Sequence, residues 1–206
     1  MTTGPVRRER SDAVANRDAL LLAAQRTLAA DPRASIDAIA QAAGLSRRSV
    51  YGHFADREAL VAAVVARGAE RFNAIAEATT DPEPVVALAT LAARLWREAA
   101  AVQATASISL DDAHVDETAR ALGPLRAAVR RIVDDGIAAG TMRQDVDPAA
   151  LARLIEEAAR AALRRIDAER TPDACALVVK VVLGIAGLSW RQSAAVLAAH
   201  PELVEG

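Results

Sequence analysis

The sequence predicts an all-α protein, and three observations predict it. Hydrophobic residues make up 52% of the 206-residue chain while aromatic ones make up 2%, and alanine dominates the apolar content. Alanine has the highest intrinsic helix propensity, and few β-branched or aromatic runs compete with it. Apolar residues recur at helical spacing along most of the chain, with no convincing strand and no internal repeat. Capping residues and prolines punctuate this pattern where one helix should stop and the next begin.

The elements follow in order. Residues 1–12 are polar and read as a flexible arm. A first helix is expected over 15–30, with Leu20, Leu21, Ala24 and Leu28 on one face; Asp31-Pro32 stops it, because a residue before proline is pushed out of the helical region. Ser35 caps a short second helix through residue 42, whose Ile36, Ile39, Ala40 and Ala43 face inward, and Gly44 supplies the left-handed residue that ends it. Ser46 caps a third helix over 47–54. Asp56 caps a fourth, with Glu58 beside its positive end, running to about residue 78 ahead of Asp81-Pro82-Glu83-Pro84.

Beyond that break the pattern stays helical. Segments are expected over 85–105, 117–122 and 124–139, with 108–116 irregular and Gly140 a stop. Asp147-Pro148 places a cap before a proline at the first helical position, ahead of an apolar stripe of Leu151, Leu154, Ile155, Ala158, Ala162 and Ile166. Thr171-Pro172 repeats the signal before a helix that is apolar nearly all round through residue 188. A tail helix over 191–199 ends at Pro201. The domain division expected is 1–60 and 61–206.

Charge and cysteine content narrow the function. The net charge is −2, but residues 1–55 carry eight arginines against five acids, and the remainder 17 basic against 22 acidic groups. A basic head on an acidic body suggests that only the head meets a polyanion. Cys175 is the single cysteine, which leaves no intramolecular disulfide or cysteine cluster. Residues 1–10 have no apolar stretch suited to a signal peptide, and the longest apolar run, 174–188, is broken by Lys180. The expectation is a cytoplasmic protein with no membrane partner.

The segment SIDAIAQAAGLSRRSVYGHF, residues 35–54, carries the functional signal. Two short helices joined by Ala-Gly-Leu have the spacing of a helix-turn-helix, in which a tight turn fixes the crossing angle and the second helix projects. Val50 and Phe54 point inward. Ser46, Arg47, Arg48, Ser49, Tyr51, Gly52 and His53 form a donor-rich outer face suited to phosphates and guanine edges. An ordinary amphipathic hairpin with a solvated basic face fits these residues equally well.

The run from Leu20 to Leu60, above all GLSRRSVYGHFADREAL (residues 44–60), resembles the TetR family of bacterial transcriptional regulators. The resemblance rests on a Gly-aliphatic-Ser turn, a Tyr-x-His-Phe ending to the third helix, and a basic residue then Glu opening the fourth. It is looser over GIAAGTMRQDVDP (residues 136–148). It implies an N-terminal three-helix DNA-binding domain joined to a C-terminal helical domain that binds an effector and dimerises. Arg47 and Arg48 then reach base edges, while Ser49, Tyr51, His53 and Arg57 hold phosphates. Ser35 adds a phosphate contact at the second helix's N-terminus. Arg57 replaces a frequent lysine, and Gly52 stands where many relatives have a larger side chain, which permits close approach to the DNA backbone. Arg7, Arg8 and Arg10 are either an arm on DNA or a solvated tail.

The resemblance also implies a small-molecule effector, with Trp96, Gln103, Ser107, His114 and Arg160 as candidate contacts, alongside Thr105, Ser109 and Asp112. Core packing or solvent exposure accounts for any one of them as well. It implies a homodimer through Leu151, Leu154, Ile155, Val178, Val181, Val182 and Ile185, with Cys175 a small buried apolar residue. His53, His114 and His200 are too far apart for a metal, and Glu156 with Arg160 reads as a surface pair. No phosphate loop, nucleophile elbow or HExxH is present, so neither cofactor nor enzyme chemistry is expected. The reading is a ligand-responsive homodimeric repressor that binds a palindromic operator in double-stranded DNA. The rivals are a DNA-binding dimer without an effector and, more distantly, a helical enzyme or scaffold with a vestigial helix-turn-helix.

Overall fold

The computed structural model describes residues 5–31, 33–101, 120–166 and 171–205. Among the described residues the elements are helical: α1 (Pro5–Ala30), α2 (Ile36–Ala42), α3 (Arg47–His53), α4 (Arg57–Glu77), α5 (Pro84–Ala101), α6 (Gly123–Ala138), α7 (Pro148–Arg165), α8 (Ala174–Ile185) and α9 (Trp190–Ala199). A 3-10 turn, Pro201–Leu203, follows. None of these helices is long and apolar enough to cross a membrane. The described chain forms two compact units, the first running through Gly68 and the second from Ala69 onward.

In the first unit, Leu20, Leu21, Ala24 and Leu28 of α1 bury one stripe against Ile36, Ile39 and Ala40 of α2, Val50 of α3 and Leu60, Val61, Val64 and Val65 of α4. The expected inward faces of α1 and α2 are thus the buried ones, except that Ala43 is half-buried. Because α4 completes this core, the unit extends past residue 60. The Arg67 guanidinium also donates to Asp18 of α1 at 2.7 Å. One expectation is corrected: α1 begins at Pro5, not at about Ala15. No glycine or further proline interrupts residues 6–30, and proline loses nothing at a first helical position, where its missing N–H has no intrahelical partner. Residues 1–4 and the side chains of Arg7, Arg8 and Arg10 lie outside what is described.

The second unit packs α5, α6, α7, α8 and the second part of α4 around Leu88, Leu91, Val129, Ile132, Val133, Leu151, Ile155, Val179, Val182 and Leu183. Asn73 of α4 ties this core to the start of α6, donating to the Ala121 carbonyl at 2.9 Å and accepting from the Leu125 N–H at 3.1 Å. Asp147 caps α7 as expected, its carboxylate accepting from the N–H groups of Ala149 and Ala150 at 3.0 Å. The start of α8 differs from expectation. The helix opens at Ala174, and Asp173, in the left-handed region at φ 54°, stands where the Thr171-Pro172 pair predicted the first turn. It also ends at Ile185, because Gly187 at φ 107° turns the chain away. Ser189 and Gln192 then form a reciprocal capping box at the start of α9. The segments expected over 108–116 and 117–122 lie outside the described residues, apart from residues 120–122.

Candidate nucleic-acid interface

The helix-turn-helix is built from its caps outward. The Ser35 hydroxyl oxygen accepts from the Ala38 N–H at 3.2 Å and starts α2. The helix ends where Gly44, at φ 67°, lets its own N–H reach the Gln41 carbonyl and the Leu45 N–H reach that of Ala40. Ser46 starts α3 in the same way, accepting from the Ser49 N–H at 3.2 Å. Both hydroxyls use the oxygen for the cap, so each O–H hydrogen remains available to an oxyanion.

α3 is two turns long and separates its faces cleanly. Val50 is fully buried and Phe54 nearly so, the latter with the Arg17 guanidinium 5.2 Å over its ring. Ser46, Arg47, Arg48, Tyr51 and Gly52 are exposed, and Ser49 and His53 half-buried. The structure therefore brings the predicted donor face together on one helix. Two of its members have partners that the sequence did not suggest. Arg47 donates through Nη1 to Asp37 Oδ2 at 2.8 Å and through Nη2 to the Tyr51 hydroxyl at 3.4 Å. These contacts raise the guanidinium's pKa, the Tyr51 bond first and Asp37 second.

Arg57 has a partner within the chain that the sequence did not suggest. It is half-buried, and its Nε–H donates to the Ala34 carbonyl at 3.1 Å, fastening the start of α4 to the turn before α2. Its position in the first turn of α4 suggested a side chain free to face outward; the packed position of Ala34 draws it back.

In the second unit, Trp96 is 6% exposed and packs with Ala162, Ala174 and Val178, with Leu163, Ile166 and Cys175 partly buried beside them. Cys175 is half-buried rather than fully buried, and that burial pushes its thiol pKa up. Gln103, Thr105, Ser107, Ser109, Asp112 and His114 lie outside the described residues. Arg160 is largely covered, at 16% side-chain exposure, with its Nε 4.0 Å from Glu157. The expected Glu156–Arg160 pair is replaced by Arg126–Glu156 at 2.8 Å, which joins α6 to α7. Among the described residues no group of three or more His, Cys, Asp or Glu could hold a metal ion.

The seven expected dimer residues divide. Leu151, Ile155, Val178 and Val182 are buried within the chain's own core, so their side chains have no surface left to offer a partner. Leu154 and Val181 are exposed, at 50% and 38%, joined by Leu177 at 41%; Ile185 is half-buried.

Comparison with known proteins agrees with this architecture. Residues 16–64 match the model described as bacterial regulatory proteins, tetR family. Residues 110–182 match that of a tetracyclin repressor-like C-terminal domain. No curated protein matches in sequence. Among solved structures, the chain resembles the regulator FadR from Bacillus subtilis, in complex with stearoyl-CoA, at TM-score 0.72 and 15% identity, covering 82% of this chain and 97% of that one. The TetR-family regulator PfmR from Thermus thermophilus gives 0.70 and 21%, over 84% and 97%. RolR in complex with resorcinol gives 0.67 and 19%, over 91% and 95%. Such identities establish a shared fold. The two family models, matching in order along one chain that carries an exposed donor face on the second helix of its helix-turn-helix, mean that this protein belongs to the TetR family of transcriptional regulators.

Proposed function

We propose that the protein is a homodimeric, cytoplasmic repressor that holds a palindromic operator through α3 and releases it when a small molecule binds the second unit. The observation that carries this reading is the division of α3. Its apolar residue is spent on the core, and two arginines, a phenol and capping hydroxyls are turned outward. We assign base edges to Arg47 and Arg48. Phosphates fall to Ser35, Ser46, Ser49, Tyr51 and His53, and Gly52 allows close approach. Arg57 adds positive charge while bonded to Ala34. DNA binding belongs to residues 1–60, effector binding and dimerisation to 61–206, with the first turns of α4 completing the DNA-binding core.

The dimer forms through the exposed strip of Leu154, Leu177 and Val181 with Ile185 at its edge. Apolar side chains left outside one chain's core are what a two-fold contact needs. The effector site lies against Trp96 and the apolar residues around it, with Arg160 as a candidate polar contact. Its single aromatic wall favours an aliphatic or mixed ligand over stacked planar rings. Two structural neighbours carry small molecules, stearoyl-CoA and resorcinol, which supports a ligand-responsive reading. By linkage, the effector binds the DNA-free form more tightly than the DNA-bound form.

The test has two arms. Duplexes enriched from a random-sequence library by the wild-type protein should bind it more tightly than scrambled duplexes. A compound found by thermal shift should weaken that binding. Enrichment without sequence preference would defeat the DNA reading, and DNA release by none of the stabilising compounds would leave a repressor without an effector.

A further inference from the structure

Arg47 and Arg48 stand side by side at the start of α3, yet their surroundings differ. Arg47 is held from two sides, by Asp37 of α2 at 2.8 Å and by the Tyr51 hydroxyl at 3.4 Å, with its guanidinium carbon 5.6 Å from the centre of the Tyr51 ring. Arg48 is exposed and, among the described residues, has no hydrogen bond or ion pair. Asp37 sits in the first turn of α2, where unpaired backbone N–H groups favour a carboxylate. A carboxylate beside a DNA-binding face also repels phosphates, so on charge alone it opposes binding.

Resting on the DNA-binding reading above, we propose that Asp37 is a positioning residue for base readout. It neutralises Arg47 and fixes the direction of its guanidinium before DNA arrives. Both side chains of the pair are exposed, so the restraint is partial: some of the rotamer freedom that a base contact would remove is given up in the free protein, which is the gain of preorganisation. With Nη1 and Nη2 each donating once, the guanidinium keeps three of its five N–H groups for the acceptors of a guanine. Arg47 then contributes base preference with little pull toward phosphate at large. Arg48, its charge uncompensated, adds attraction to any sequence along with whatever base it meets. Asp37 thus trades overall affinity for discrimination.

The experiment is a double-mutant cycle on the full chain, titrating each variant against the wild-type-enriched duplex and a scrambled one at several salt concentrations. Wild-type preference for the enriched duplex is the separate check on the DNA reading, and its absence removes both claims. For Asp37→Asn, binding to scrambled duplex should strengthen and its log K against log salt should steepen by about 0.9 per protomer, the slope of one added phosphate contact. The ratio of enriched to scrambled affinity should fall at least about fivefold, the lower end of what one bidentate base contact discriminates. Asp37→Glu should recover part of that ratio. In an Arg47→Ala background, Asp37→Asn should change the ratio by less than about twofold, because the residue it positions is gone. An unchanged ratio in Asp37→Asn, or an equal fall with and without Arg47, would overturn the proposal and leave an ordinary exposed ion pair. Circular dichroism confirms that each variant is folded.

Discussion

Arginine does unlike work at different positions in the first unit, and its neighbours decide which. Arg57 is the clearest case, because its Nε–H bond to the Ala34 carbonyl makes it a structural clasp as well as a positive charge. Arg57→Ala should cost about 1 kcal/mol of stability, the ordinary net value of a hydrogen bond, besides weakening binding to all DNA sequences alike. Urea unfolding reads the first effect; an unchanged midpoint with weaker binding would make Arg57 a phosphate contact alone. Two glycines make an opposed pair. A Cβ at Gly187 would lie 2.7 Å from Arg143 Cβ and 3.0 Å from its backbone N, on a residue at φ 107°. Gly187→Ala should therefore destabilise by more than about 1 kcal/mol. A Cβ at Gly52 meets nothing within 4 Å, so Gly52→Ala should raise stability by up to about 1 kcal/mol through helix propensity. The same methyl should weaken DNA binding if the helix lies close against the phosphate backbone. A stabilised variant with undiminished affinity would remove the close-approach role of Gly52.

At the scale of elements, local chemistry in the sequence was most readable where a side chain bonds its own helix end. Ser35, Ser46, Asp56 and Asp147 were all recognisable as caps, because a cap needs only one oxygen two or three residues ahead of a free N–H. Replacing Asp147 with alanine should cost about 1 kcal/mol, measured by thermal unfolding. Elements whose limits depend on other parts of the chain were less readable. The start of α8 was displaced to Ala174 by a left-handed Asp173, and the turn after it is shaped by the contact of Gly187 with Arg143. Arg143 is itself latched to Asp145, donating from Nε and Nη2 at 2.8 and 2.7 Å. The hydrogen bonds from Arg143 hold the Asp145 carboxyl at about 2, below its ordinary 3.8. A depressed carboxylate pKa gives stability that is present above the ordinary value and lost as pH falls through the folded one. The latch should hold at pH 4 and open toward pH 2. Carboxyl NMR should place the Asp145 midpoint near 2, and a midpoint near 4 would show that the latch does not persist in solution.

At the scale of the whole molecule, the family motif and the exposed donor face of α3 were readable because that helix alternates buried and exposed positions within two turns. Which side of α8 stays exposed was not readable, since that helix is apolar nearly all round and its pattern does not say which side the chain's own core takes. The structure separates neighbours: Val182 is 1% exposed and Val181 lies outside the core. Val181→Glu should therefore give a folded monomer by sedimentation, while Val182→Glu should fail to fold. A dimeric Val181→Glu would move the interface elsewhere. The central claim, that the outer face of α3 reads DNA, is tested most directly by one titration. Wild type and Arg48→Ala are measured against the enriched and scrambled duplexes across a range of salt concentrations. The account predicts that wild type prefers the enriched duplex, and that Arg48→Ala binds both more weakly with a flatter salt dependence and loses more on the enriched duplex, since a positive charge and a base contact have both been removed. An Arg48→Ala protein with wild-type affinity and slope on both duplexes would contradict it.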